Sequence, residues 1–196
     1  MKTRERLQPE TRRAQLLELG GSLVDQRRYE DFSMDELAAL AGVSKGLLYH
    51  YFPTKRELYL AVLRAATAEM LELVTLDPKL APEKALEAAL HAYLGYVEQH
   101  SNAYRAVLHD GLGGDPEVLG VADAFRQAVA RQILEGAAIE QPTPLLRTAV
   151  NGWIGMVEAA SLDWLDHHDV EAEPLIRLLA DSLASALELA SRASPP

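Results

Sequence analysis

The residues best suited to chemistry lie between Ser33 and Phe52. Ser33 stands three residues before Glu36, so its hydroxyl can accept a backbone N–H at a helix start while the carboxylate reaches back, the capping-box arrangement. The helix opened there runs to about Ala41, because Gly42 suits the left-handed turn that closes a helix. Ser44 caps the next one, which covers Lys45 to about Tyr51 and is ended by Pro53. Two short helices joined by Ala41-Gly42-Val43-Ser44 have helix-turn-helix spacing, in which a small turn holds the second helix across the first. Leu37, Ala38 and Leu40 then pack against Val43, Leu48 and Phe52. Lys45, Gly46, Leu47, Tyr49 and His50 are left on the outer surface, the side that such a unit presents to a major groove.

These side chains match what a duplex offers. Lysine and phenol groups donate to phosphate oxygens, Gly46 lets backbone approach closely, and Leu47 can meet a thymine methyl. Arg12 and Arg13, with the cap residues Ser33 and Ser44, add candidate phosphate contacts at helix starts. Taken singly, Tyr49-His50-Tyr51 would read as core or rim packing and Lys55 as a solvated lysine. Their position within or next to a capped, correctly spaced pair of helices favours DNA.

A second set of residues points to a cavity. On a helix opening at Pro144, Asn151, Ile154 and Glu158 share a face, so two polar groups project from an apolar segment. Either Glu158 pairs with Arg105, Arg126 or Arg131, or Asn151 and Glu158 join Tyr93, Tyr96, Phe125, Trp153 and Met156 around an apolar small molecule, a cationic one included. His91, His100, His109, His167 and His168 lack the i, i+4 pairing of a metal site, so neither metal nor cofactor is expected. No nucleophile, base and orienter can be assembled, and Gly111-Leu112-Gly113-Gly114 has no preceding strand, so an enzyme is not expected.

The elements that must hold these residues are helices. Proline and glycine punctuate the chain, giving nine segments: Pro9 to about Arg28, weakened at Gly20 and Gly21; the two short helices above; Thr54, as cap, towards Leu73; Pro82 to Gln99; Ser101 to Leu108; Pro116 to about Glu135; Pro144 to about Asp166; and Pro174 to about Ser191. No strand or internal repeat stands out, and the tail Ser194-Pro195-Pro196 is expected to fray. The fold class is therefore all-α, with a reading domain over 1–54 and a sensing and dimerising domain over 55–196.

The chain has 196 residues, no cysteine, 48% hydrophobic residues and a net charge of −10. Residues 1–65 carry 11 Lys/Arg against 9 Asp/Glu, and the remainder 8 against 20, so only the N-terminal third suits phosphate. The charged N-terminus lacks a signal peptide's apolar stretch and the apolar run 149–162 is too short to span a bilayer, so a cytoplasmic protein is expected. Gly152, Gly155 and Ala159 lie on one face and permit close helix approach, while Leu175, Leu178, Leu179, Leu183 and Leu187 form a stripe. Together they predict the dimer interface. A helical adaptor that binds another protein, without sequence-specific DNA binding, is the competing reading.

Phe32-Ser33-Met34-Asp35-Glu36-Leu37-Ala38, Ala41 through Phe52 and Lys55-Arg56-Glu57-Leu58 together resemble the TetR family of transcriptional regulators. The likeness is close over residues 10–60 and elsewhere extends to helix number and length. Tyr29 stands where the family often has glycine, and Gly20 where it often has alanine. The resemblance implies homodimers on palindromic operators, paired through the last two helices, with release when a small molecule enters the C-terminal domain. It also implies that Tyr49, Tyr51 and Lys55 touch phosphates and that Lys45, Gly46 and Leu47 lie against base edges. A two-fold dimer would set its recognition helices about 34–36 Å apart.

Overall fold

Helix start signals set the architecture of the computed structural model, which describes residues 8–110 and 114–193. Nine α-helices and no strand occur among the described residues. They are α1 (Pro9–Gln26), α2 (Met34–Leu40), α3 (Lys45–Tyr51), α4 (Lys55–Leu73), α5 (Pro82–Gln99), α6 (Ser101–Arg105), α7 (Pro116–Gly136), α8 (Pro144–His167) and α9 (Ala172–Ala193). A 3-10 turn, Tyr29–Asp31, precedes α2, and a π-helical turn, Ala106–Asp110, continues α6 in place of the longer α-helix that the sequence predicts. Residues 111–113 of the Gly111-to-Gly114 stretch, which the sequence reads as a loop, and the tail from Ser194 lie outside the described residues. None of the described helices is long and apolar enough to cross a membrane.

Proline occupies the first turn of α1, α5 and α8, where its missing N–H costs no hydrogen bond. Thr143 caps α8 by accepting from Leu146 N at 3.2 Å, and His168 closes it in the left-handed conformation with φ 48°. Gly20 does not interrupt α1. A Cβ there would stand 3.0 Å from Val62 Cγ2 and 3.4 Å from Leu58 Cδ1, so the missing side chain lets α1 press onto α4.

The described residues fold as two compact units, the first within 8–67 and 102–121, the second within 68–101 and 122–193. The first unit thus extends past residue 54. Leu58, Tyr59, Leu60, Val62 and Leu63 of α4 are at most 4% exposed and pack with Leu16, Leu37, Leu48 and Phe52, so the first turns of α4 complete this core. In the second unit α9 packs on α8 and α5. Trp153 Nε1 donates to Leu179 O at 2.8 Å, locking α8 to α9. Leu175, Leu179 and Leu183 are buried at 8%, 0% and 5% exposure within the protomer. Within the protomer these three members of the expected interface stripe are core residues, and Leu187 is half-buried. The apolar side chains that α9 leaves open are Leu178 and Leu189, 56% and 65% exposed.

Candidate nucleic-acid interface and effector cavity

Caps and one glycine build the turn between α2 and α3. Ser33 Oγ accepts from Glu36 N at 3.1 Å and Ser44 Oγ from Leu47 N at 3.2 Å, each such cap contributing about 1 kcal/mol. Between them Val43 N donates to Ala38 O at 3.0 Å and Gly42 adopts φ 62°, a conformation that disfavours any residue with a Cβ. Leu37 and Leu48, both fully buried, and Phe52, 2% exposed, pin the helices together. The reverse side of α3 is open: Lys45, Gly46, Leu47, Tyr49 and His50 are exposed and Tyr51 is half-buried, its ring 5.5 Å from that of His50. Leu40, expected to pack inward, is instead 58% exposed.

Several cations near this surface are engaged within the protein. Lys45 Nζ lies 2.5 Å from Asp35 Oδ2, an exposed pair that phosphate or a base edge can displace. Arg13 stacks over Phe52, its guanidinium carbon 5.2 Å from the ring centroid, and Arg27 reaches Glu36 Oε1 at 2.8 Å. Lys55 too is held within the protein. Its ammonium sits 4.4 Å from the Tyr29 ring centroid and 4.6 Å from that of Phe32, and donates to Glu30 O at 3.4 Å. Tyr29 supplies the floor of this cage, its ring 4.9 Å from that of Tyr59, and burial raises its phenol pKa. The sequence does not signal the cage, because its rings lie more than twenty residues upstream of the lysine.

Arg56 carries no signal in the sequence pattern either. Its Nε and Nη2 donate to the two carboxylate oxygens of Asp115 at 2.7 and 2.8 Å, and Nη2 reaches Glu117 Oε1 at 3.2 Å. The guanidinium holds the Asp115 carboxyl down at about 2, and the two acids hold the Arg56 pKa up in return. Asp115 Oδ1 also accepts from Glu117 N at 2.9 Å at the start of α7. A planar fork on a planar carboxylate therefore clamps the start of α4 to the start of α7.

In the second unit, side chains from α5, α7 and α8 and from the segment that follows α4 line a small, partly open apolar cavity of about 60 Å³. Tyr93, Phe125, Trp153 and Glu158 line it as expected. Tyr96, Asn151 and Met156 do not. Tyr96 turns to His100, its ring 4.4 Å away, and Asn151 lies on the exposed flank of α8. Met156, 37% exposed, shares the outer face of that helix with Gly152, Gly155 and Ala159. Of the arginines considered for Glu158, Arg126 is the partner, with Nε to Oε1 at 2.8 Å and Nη2 to Oε2 at 3.1 Å. That pairing raises the Arg126 pKa, and Asp123 adds a second contact at 2.9 Å. His167 Nδ1 is 2.9 Å from Asp163 O and His91 Nε2 is 3.2 Å from Glu173 Oε2, and both histidines are exposed.

A capped helix pair with an open recognition edge, followed by a helical unit with an apolar cavity, defines a DNA-binding transcription regulator of helix-turn-helix type. Residues 16–62 match the family model for bacterial regulatory proteins of the tetR family, and residues 82–186 match the tetracyclin repressor-like C-terminal domain. The chain belongs to the TetR family. It is 36% identical over 132 residues to the HTH-type transcriptional activator FasR of Mycolicibacterium smegmatis, an alignment covering 66% of this chain and 60% of that protein. A TetR-family transcriptional regulator from Streptomyces coelicolor superposes with a TM-score of 0.88 at 28% identity, covering 96% of this chain and 85% of the other. FadR from Bacillus subtilis, in complex with stearoyl-CoA, shares the fold, with a TM-score of 0.70 at 14% identity over 88% of this chain and 98% of its own.

Proposed function

We propose that this chain is a homodimeric, cytoplasmic repressor that binds a palindromic operator through α3 and releases it when an apolar small molecule enters the cavity. Residues 1–54 read DNA, and residues 55–196 sense the effector and pair the protomers. The reading is carried by the outward edge of α3, where Lys45, Gly46, Leu47, Tyr49 and His50 are exposed while Leu48 between them is fully buried. Lys45, Gly46 and Leu47 meet base edges; Tyr49, Tyr51 and the caps Ser33 and Ser44 hold phosphates. Glu158 is already neutralised by Arg126, so the cavity favours an uncharged apolar group. FadR, which holds stearoyl-CoA, gives a precedent in this fold for a ligand with a long apolar chain.

Selection of bound sequences from random duplexes, followed by gel shifts, tests the reading. A palindromic site should emerge whose affinity falls with salt, and Lys45→Ala and Tyr49→Ala should each weaken it by about tenfold or more. Unchanged binding in both variants, or no preference among duplexes, refutes it. FasR bears the name of an activator, which favours a second reading for the sign of control. A reporter under the selected site decides: loss of the protein raises transcription if it represses and lowers it if it activates.

A further inference from the structure

The cavity is too small for the work assigned to it. At about 60 Å³ it holds only a few water-sized groups of roughly 10–15 Å³ each, whereas small-molecule sites commonly enclose about 300–1,000 Å³. Beside it, within the same unit, lies an open groove of about 680 Å³. Leu76, Leu86, Gln132 and Ile133 line both spaces. Leu76 and Leu86 are half-buried, and Leu76 Cδ1 lies 3.1 Å from where a Cβ on Gly136 would stand. The partition is thus made largely of aliphatic side chains, one of them seated on a residue that has none. Rotamer changes of such groups are fast and local, so this wall can part without unfolding either helix.

The two spaces differ in charge. Glu158, which Arg126 neutralises, is the one charged side chain in the cavity lining, which is otherwise mostly aliphatic and aromatic. The groove has an apolar floor that includes Leu80, Leu183 and Leu187, and a rim of Asp77, Glu83, Glu87, Glu135 and Asp181. No lysine, arginine or histidine lines it. Lys84 holds Glu87 at 2.6 Å, and the other four carboxylates have no ion-pair partner among the described residues. A cation held there gains from several carboxylates at once, while an anion is repelled by all of them.

We propose that cavity and groove form one site for an elongated cationic amphiphile, its alkyl tail threaded past Leu76 and Leu86 into the cavity and its ammonium head held in the groove by Glu83, Glu135 and Asp181. The proposal rests on the cavity being the effector site and adds the shape and charge of the effector.

Titration of the full chain, in a Trp164→Phe background that leaves Trp153 as the reporter, tests this with decyltrimethylammonium, decanol and decanoate below their micellar concentrations. Two or three exposed carboxylates should together make the cation bind about tenfold tighter than the alcohol at low salt, with decanoate weakest. The triple variant Glu83→Gln, Glu135→Gln, Asp181→Asn should bring the cation to the level of the alcohol and leave the alcohol unchanged. Leu86→Phe, which adds bulk without a second indole, should weaken all three compounds. Leu76→Ala, which opens the wall without adding bulk, should strengthen all three and serves if Leu86→Phe melts early by circular dichroism. Equal binding of the three compounds, preference for decanoate, or an inert triple variant overturns the groove assignment while the cavity reading stands. A folded chain whose Trp153 signal answers none of the three overturns both.

Discussion

Leu47 and Leu48 are neighbours in sequence with opposite duties, because 100° of helical rotation turns one outward and the other into the core. Leu48 is fully buried and Leu47 is 37% exposed. Leu48→Ala should cost about 2–5 kcal/mol of stability, read as an early thermal melt. Leu47→Ala should change stability by less than about 0.5 kcal/mol yet weaken operator binding in a gel shift. This division is legible in the sequence, since caps at Ser33 and Ser44 fix the helix phase and the phase fixes which side chains face out. Lys55 is not legible, because the Tyr29 and Phe32 rings that hold it arrive through tertiary structure. Replacing it with glutamine removes a cation held over two rings, so Lys55→Gln should lower stability by about 1 kcal/mol. Its effect on DNA separates a tether from a phosphate contact. The slope of log affinity against log salt should stay as in the wild type, whereas loss of a true phosphate contact would reduce it by about 1.

At the scale of elements, helix starts are legible to within a residue or two where Pro or a capping Ser or Thr marks them, as at Pro9, Pro82, Pro116 and Pro144. The cue is local chemistry, namely orphan N–H groups and a fixed φ. The π-helical turn Ala106–Asp110 carries no such cue and reads in the sequence as plain α-helix. The Arg56 clamp joins residues 59 positions apart, a distance over which periodicity says nothing. Its pH signature is specific. Asp115 titrates at about 2 in the folded chain, against about 3.9 for an unfolded aspartate, so the clamp's contribution is fully present above pH 4 and is lost as pH falls towards 2. Arg56→Met lacks that contribution throughout. The stability difference between wild type and variant should therefore be constant from about pH 5 to 7 and shrink steadily below pH 4, as measured by thermal melts followed by circular dichroism. A difference independent of pH down to 2 would mean that Arg56 acts by packing alone.

At the scale of the whole molecule, the leucine stripe on α9 shows how far an apolar pattern can be taken. Its period declares that one face is buried, but not whether the burying partner is the same chain or another copy. Leu175, Leu179 and Leu183 cover α9 against its own protomer, which leaves Leu178, and in part Leu187, as the open members of the stripe. Further open groups sit on the same two helices. Like Leu178, Leu189 on α9 is exposed, as are Met156, Gly152 and Gly155 on α8, and a Cβ built on either glycine meets nothing within 4 Å. Small residues exposed on α8 permit close helix approach and exposed leucines on α9 supply apolar area, the two features a pairing surface on these helices would use. A charge placed there is buried without a partner in the dimer and solvated in the monomer, so it shifts the equilibrium strongly towards monomer. Gly155→Glu and Leu178→Glu should each run at the monomer mass by light scattering while melting within a few degrees of the isolated protomer's temperature. Since one α3 reads only half of a palindrome, both variants should also lose operator binding although every DNA-facing side chain is intact. A dimer that survives both substitutions would place the pairing surface somewhere other than α8 and α9.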